Sequence, residues 1–218
     1  MRERLYLAAT GLFAKHGFEE TTLRQIAARA GVSPALLYRY FPSKRAVVLA
    51  LYDELSHDFE RAAGGLPAGK WRERFLFAVR ASLAVLEPHR DVLVALIPLL
   101  VSRGEEGLFA PATAFSRERV QAVFVAAATG AKDAPRAAEA AALGRLLYLA
   151  HLGVLMWWLL DRSDRQQATE LLLGQLERGL APVALALKFP STRRLVSEID
   201  SAAGSALFGD EPQAGAAR

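Results

Sequence analysis

The sequence predicts an all-α fold: a small N-terminal three-helix module built around a helix-turn-helix, followed by a larger C-terminal helical bundle. Apolar residues recur at three- and four-residue intervals nearly throughout the 218 residues. Runs alternating apolar and polar side chains, the mark of a half-buried strand, are missing. At 52% hydrophobic and 23% charged residues the chain can bury a sizeable core. Charge is divided unevenly. Residues 1–45 carry eight basic side chains (Arg2, Arg4, Lys15, Arg24, Arg29, Arg39, Lys44, Arg45) against three acidic ones (Glu3, Glu19, Glu20), a net of +5 that leaves −1 for the other 173. A basic module joined to a nearly neutral one suits attraction to phosphate.

The first helix is carried by Leu5, Ala8, Ala9, Leu12, Phe13 and His16, one stripe at helical spacing. Gly17 is expected to end it in the left-handed conformation that glycine adopts at least cost. Thr22 and Gln25 have the spacing of a capping box opening a second helix, each side chain satisfying an orphan backbone amide. Leu23, Ile26, Ala27 and Ala30 form its buried face; Gly31 closes it and Val32 points inward. Ser33 and Pro34 open a third helix as N-cap and first helical residue. Only about two residues separate the second and third helices, a tight helix-turn-helix with glycine at its corner.

Pro42-Ser43-Lys44 marks the next break, and Ser43 caps a long fourth helix reaching about Ala63. Beyond a Gly- and Pro-rich loop at 64–69, helices are expected near 70–86, 89–102, 112–128, 134–161, 165–187 and 192–203. Pro98 and Pro182 lie inside apolar runs and are expected to kink or split their helices. The resulting division is a DNA-binding-sized module at 1–45, a helical domain at 46–205 and a frayed tail at 206–218.

Several classes of function are excluded by what the chain lacks. With no cysteine there is no disulfide, thiol catalysis or cysteine-ligated metal, as suits a reducing compartment. The four histidines, at 16, 57, 89 and 151, never fall in metal-ligand pairs, and Asp53 with His57 reads as a surface ion pair. No HExxH, GxSxG, GxGxxG or phosphate-binding GK[ST] loop occurs, so neither catalytic residues nor a cofactor or metal is expected. No secretion signal follows Met1, and the most apolar stretch, 146–160, is shorter than the roughly 18–20 residues a bilayer needs. A cytoplasmic protein without membrane association is therefore expected.

A recognition helix must bury one face on its own domain and turn the other to the DNA major groove, which admits a single helix. In the third helix Leu37 and Phe41, four apart, suit the buried face, and Ser33, Ala35, Leu36 and Arg39 the outer one, with Pro34 at its start. Arg39 is the candidate for base readout, since a guanidinium bonds guanine O6 and N7 bidentately for about 1–3 kcal/mol of discrimination. Ala35 and Leu36 suit contact with a thymine methyl. Lys44 stands at the start of the fourth helix, where free amides and the helix dipole favour a phosphate. Thr22 occupies a similar helix start, and Arg24, in the first turn of the second helix, reaches for a base or phosphate.

The stretch Thr21-Thr22-Leu23-Arg24-Gln25-Ile26-Ala27-Ala28-Arg29-Ala30-Gly31-Val32-Ser33-Pro34-Ala35-Leu36-Leu37-Tyr38-Arg39-Tyr40-Phe41-Pro42-Ser43-Lys44 resembles the DNA-binding motif of the TetR family (TetR/AcrR-like) of bacterial regulators. Ala8-Ala9 through Phe13 to Gly17-Phe18 resembles that family's first helix. The likeness covers about residues 5–50, and it departs from the family at Leu36, where a small or polar residue is common. Tyr38 and Tyr40 resemble the family's phosphate-contacting aromatics. The resemblance implies a sequence-specific regulator, a repressor released from a palindromic DNA operator by a small, largely apolar effector. It implies a homodimer pairing through the helices near 134–161 and 165–187, which would set two recognition helices about 34–36 Å apart. It also implies an effector pocket in the second domain, with Trp71, Phe75, His89, Phe115, Tyr148 and His151 as candidate lining. The alternative is a helical dimeric module that binds a partner protein without reading DNA.

Overall fold

The computed structural model describes residues 1–208; among them every regular element is helical and none is a strand. Eleven α-helices are named in chain order: α1 Arg2–His16, α2 Leu23–Arg29, α3 Pro34–Tyr40, α4 Lys44–Ala63, α5 Trp71–Leu86, α6 Arg90–Ala95, α7 Ile97–Leu100, α8 Ala114–Thr129, α9 Ala137–Leu160, α10 Gln167–Ala186 and α11 Pro190–Ala203. Short 3-10 turns precede α6, α8 and α10, and a π turn at Gly204–Phe208 follows α11.

The chain divides into two compact units, and the division is not the one expected at residue 45. The first unit takes Met1–Asp58 together with Val85–Arg117; the second takes Phe59–Ala84 and the residues from Glu118 onward. The reason is physical. Helix α4 runs unbroken through position 45, and α1 packs on α6 as well as on α2, so the three-helix module shares its core with residues from beyond 85. That core holds Leu5, Ala9, Phe13, Ile26, Ala27, Leu37, Phe41, Val47, Val48 and Leu51, all buried.

Local sequence explains the joints of the first unit. Gly17 ends α1, but with φ 84° and ψ 162° it lies outside the expected left-handed helical region, in a backbone region open almost solely to glycine. His16, counted in the α1 stripe, is exposed. At α2 the expected capping box is complete: the Thr22 amide donates to Gln25 Oε1 at 2.7 Å, and the Gln25 amide to Thr22 Oγ1 at 3.2 Å. Gly31, at φ 61°, lets the Val32 amide reach the Ala27 carbonyl and its own amide the Ala28 carbonyl, a Schellman closure of α2. Ser33 accepts the Leu36 amide, with Pro34 at the first helical position of α3. The segment between α7 and α8 is tied down at several points. Arg45 pairs with Glu105, the Tyr52 hydroxyl donates to the Glu106 carbonyl, and the Thr113 hydroxyl donates to the Gly107 carbonyl.

In the second unit α5, α8, α9 and α10 enclose an aromatic core. Phe124 lies 5.8 Å from Phe59, 5.9 Å from Phe75 and 4.7 Å from His151, ring centre to ring centre. Helices α8 and α9 cross closely at Gly144, where a Cβ would fall 2.5 Å from the Val125 Cα. Arg74, buried, gives its guanidinium to the carbonyls of Pro67, Ala126 and Ala127, closing the end of α8. Helix α11 packs on α9 through the Arg145–Asp200 pair, with Arg145 Nε 2.8 Å from Asp200 Oδ1.

Two proline expectations part ways. Pro98 does separate α6 from α7, whereas α10 continues unbroken across Pro182. One missing amide near the end of a 20-residue helix is not enough to stop it. Helix α9, at 24 residues, is long and apolar enough to span a bilayer by length and composition, which the count over 146–160 misses. It nevertheless buries Leu143, Leu147, Tyr148, His151, Val154 and Trp158 inside its own unit, the role of a core helix. Of the tail expected at 206–218, residues 206–208 close the π turn, with Phe208 6.5 Å from Tyr148; the remainder lies outside the described residues.

Candidate nucleic-acid interface

Helix α3 is short, and what aims it is the pair of anchors beneath it. Leu37 and Phe41 are 1% and 2% exposed, and the Phe41 amide closes the helix on the Leu37 carbonyl at 2.8 Å. With these two side chains buried, Ser33, Pro34, Ala35, Tyr38, Arg39 and Tyr40 all face solvent, and Leu36 is half-buried. The Arg39 guanidinium is thus offered outward from the last turn of α3. Thr22 and Arg24, on the first turn of α2, are exposed as well. Thr22 and Ser33 are already engaged as N-caps, so their hydroxyls serve the helix starts first.

Lys44 is the exception. Its ammonium does not reach outward; it donates to the carbonyls of Phe18 at 2.6 Å and Glu19 at 3.1 Å, and sits 4.4 Å over the Phe18 ring. The loop after α1 presents two carbonyls that need donors, and Lys44, half-buried beside them, supplies both. The helix start itself is capped by Ser43, whose Oγ accepts the Ala46 amide at 3.1 Å. A different cation stands at the α3–α4 junction. The Arg2 guanidinium lies 5.2 Å from the centre of the Phe41 ring, a neighbour no local motif announces because 39 residues separate the pair.

The six residues expected to line an effector pocket are divided between the two units. Trp71, Phe75, Tyr148 and His151 are buried in the second unit, whereas His89, half-buried, and Phe115, exposed, belong to the first. His151 is the chemically distinctive member. Its Nε2 is 2.8 Å from the Ser82 Oγ, and its Nδ1 is buried without a hydrogen-bond partner among the described residues. Phe59 stacks parallel to it at 6.2 Å. Burial pushes the imidazole down to about 3, so it is neutral. Ser82, its partner, is also buried and was not legible as such, since a lone serine in an apolar helix carries no signal of what faces it. A groove of about 520 Å³ opens elsewhere in the same unit, lined by Arg72, Glu73, Leu76, Phe77, Arg80 and Glu177 among others, and includes none of the expected residues. His57 Nε2 lies 3.5 Å from Asp53 Oδ1, both side chains exposed. No group of three or more potential metal-ligating side chains occurs among the described residues.

Residues 5–51 match the family profile for bacterial regulatory proteins of the tetR family. The chain is 35% identical over 97 residues to the HTH-type transcriptional regulator HbdR of Aromatoleum sp. (strain CIB), a match covering 43% of this chain and 42% of that protein. It is 41% identical over 71 residues to the HTH-type transcriptional repressor KstR of Rhodococcus jostii (strain RHA1), 32% of each. The match therefore spans less than half the length of either relative. Among solved structures, the fold is similar to the TetR transcriptional regulator from Nitrosomonas europaea with a TM-score of 0.63 at 23% identity, over 83% of this chain and 98% of that one.

Proposed function

We propose that this chain, whose residues 5–51 match the tetR family of bacterial regulatory proteins, is a sequence-specific DNA-binding transcription regulator, a repressor working as a homodimer. The observation that carries this reading is the exposed row along α3, Ser33, Ala35, Tyr38 and Arg39, held outward by buried Leu37 and Phe41. A helix so mounted fits the major groove, with Arg39 reading a base and Ala35 and Leu36 meeting a thymine methyl. Tyr38, Tyr40, Thr22 and Arg24 hold phosphates around it. Lys44 serves the interface indirectly, by fixing the loop after α1. Repression, rather than activation, follows the sign named for the KstR relative.

The dimer forms through α9 and α10, whose exposed Trp157, Leu160, Leu171 and Val183 are the kind of large apolar side chains that an interface covers. The effector is a small, uncharged, mainly apolar molecule held in the second unit near Phe75, Tyr148 and His151, where a neutral imidazole offers one hydrogen bond among rings. Helix α4 belongs to both units: its first residues adjoin α3 in sequence, and Phe59 near its end stacks on His151. Effector binding that displaces Phe59 changes the tilt of α4, favouring a conformer with the recognition helices off the operator spacing.

Replacing Arg39 tests the readout. With Arg39→Ala, binding to a panel of duplexes that differ at single base pairs should lose about 1–3 kcal/mol of preference at one position in each half-site and little elsewhere. A uniform loss across all positions would reassign Arg39 to phosphate. No change at all would favour a protein-binding module over a DNA reader.

A further inference from the structure

Arg2 meets the recognition helix from outside it. Its guanidinium lies 5.2 Å from the centre of the Phe41 ring, and Phe41 is the residue that caps α3 directly after Tyr40. Phe41 is itself 2% exposed and locked into the core, so the ring is a fixed platform rather than a mobile neighbour. A guanidinium held over a ring by its charge still has N–H donors for an anionic partner. Arg2 is exposed to water. The lysine expected to supply the phosphate contact at this junction is committed elsewhere, with two of its three N–H donors on the Phe18 and Glu19 carbonyls.

We infer that Arg2, held over the Phe41 ring, is the residue that holds a DNA phosphate at the α3–α4 junction. The assignment rests on the DNA-binding reading above. It makes α1 part of the interface: the first turn of one helix sets the register of another through a phosphate. An arginine suits such a contact, since a lysine carries the charge without the planar fork.

The test is the salt dependence of binding to a duplex selected by the wild-type protein from a random library. Each phosphate contact contributes about 0.9 to the slope of log affinity against log salt on double-stranded DNA. Arg2→Ala should reduce that slope by about two, roughly 0.9 from each subunit of the dimer, and weaken binding roughly equally on all sequences, with the thermal midpoint unchanged. Arg2→Lys should keep the slope yet bind more weakly than wild type, the loss of the fork at constant charge. Lys132→Ala, which removes an exposed charge from the second unit, should leave the slope as it was. An unchanged slope in Arg2→Ala, with the wild type binding normally, overturns the assignment alone. A wild-type protein that retains no duplex overturns the DNA reading and this assignment together.

Discussion

Two side chains, Arg39 and His151, show how much burial decides about a polar residue. Arg39 stands in water on a helix whose opposite face is packed, as the proposed base contact requires. His151 is sealed among Phe59, Phe124 and Tyr148, and burial keeps it neutral. Its titration has a signed consequence. The unfolded chain binds a proton near pH 6.5, whereas the folded imidazole refuses one until about pH 3. Stability from this group is therefore full above about pH 6.5 and falls as the pH drops toward 3, by roughly 1 kcal/mol per pH unit. His151→Gln, which keeps a partner for Ser82, does not titrate. The difference in thermal midpoint between wild type and His151→Gln should shift in the variant's favour between pH 7.5 and 5, and a constant difference would contradict a buried neutral imidazole. That His151 is a hydrogen-bonded core residue is legible from its apolar helical face. That Ser82 is its partner is not, because 69 residues lie between them.

At the level of elements, the parts written in local chemistry are the parts that sequence reveals. The Thr22–Gln25 capping box, the Gly31 turn and the Ser33-Pro34 start each satisfy backbone groups within a few residues, and each stands in the fold as read. Lys44 departs because its direction is set by carbonyls 25 and 26 residues away. The α8–α9 crossing was equally illegible: Gly144 looks like any glycine in an apolar helix, yet the Val125 backbone fills the place of its Cβ. Backbone cannot swing aside as a side chain can. Gly144→Ala should therefore destabilise the protein by about 1–3 kcal/mol, as overpacking does. Chemical denaturation checks it, with Gly153→Ala, whose Cβ would meet nothing within 4 Å, as the comparison. Equal stability of the two variants would mean that α8 and α9 lie farther apart.

For the whole molecule, the division into units carries the functional logic. A boundary at residue 45 would make the DNA-reading module autonomous. Helix α6 packs on α1 within the first unit, and α4 contributes residues to both units, which is the feature the proposed switch uses. Periodicity describes single helices and says nothing about which ones share a core, so the packing of α6 on α1 is not legible in it. Coupling by this route must be reciprocal. An effector that weakens operator binding by a given factor must itself bind the operator complex more weakly by the same factor, and a titration in both directions should return equal factors. Independent affinities would remove α4 as a switch.

The paired-reader architecture is open to one decisive measurement: selection of bound duplexes from a random library, followed by sequencing. Two copies of α3 presented by a twofold dimer should enrich an inverted repeat, its half-sites one helical turn apart at about 10 base pairs centre to centre, or a multiple of that. Enrichment of a single asymmetric site, or of nothing above background, would contradict it.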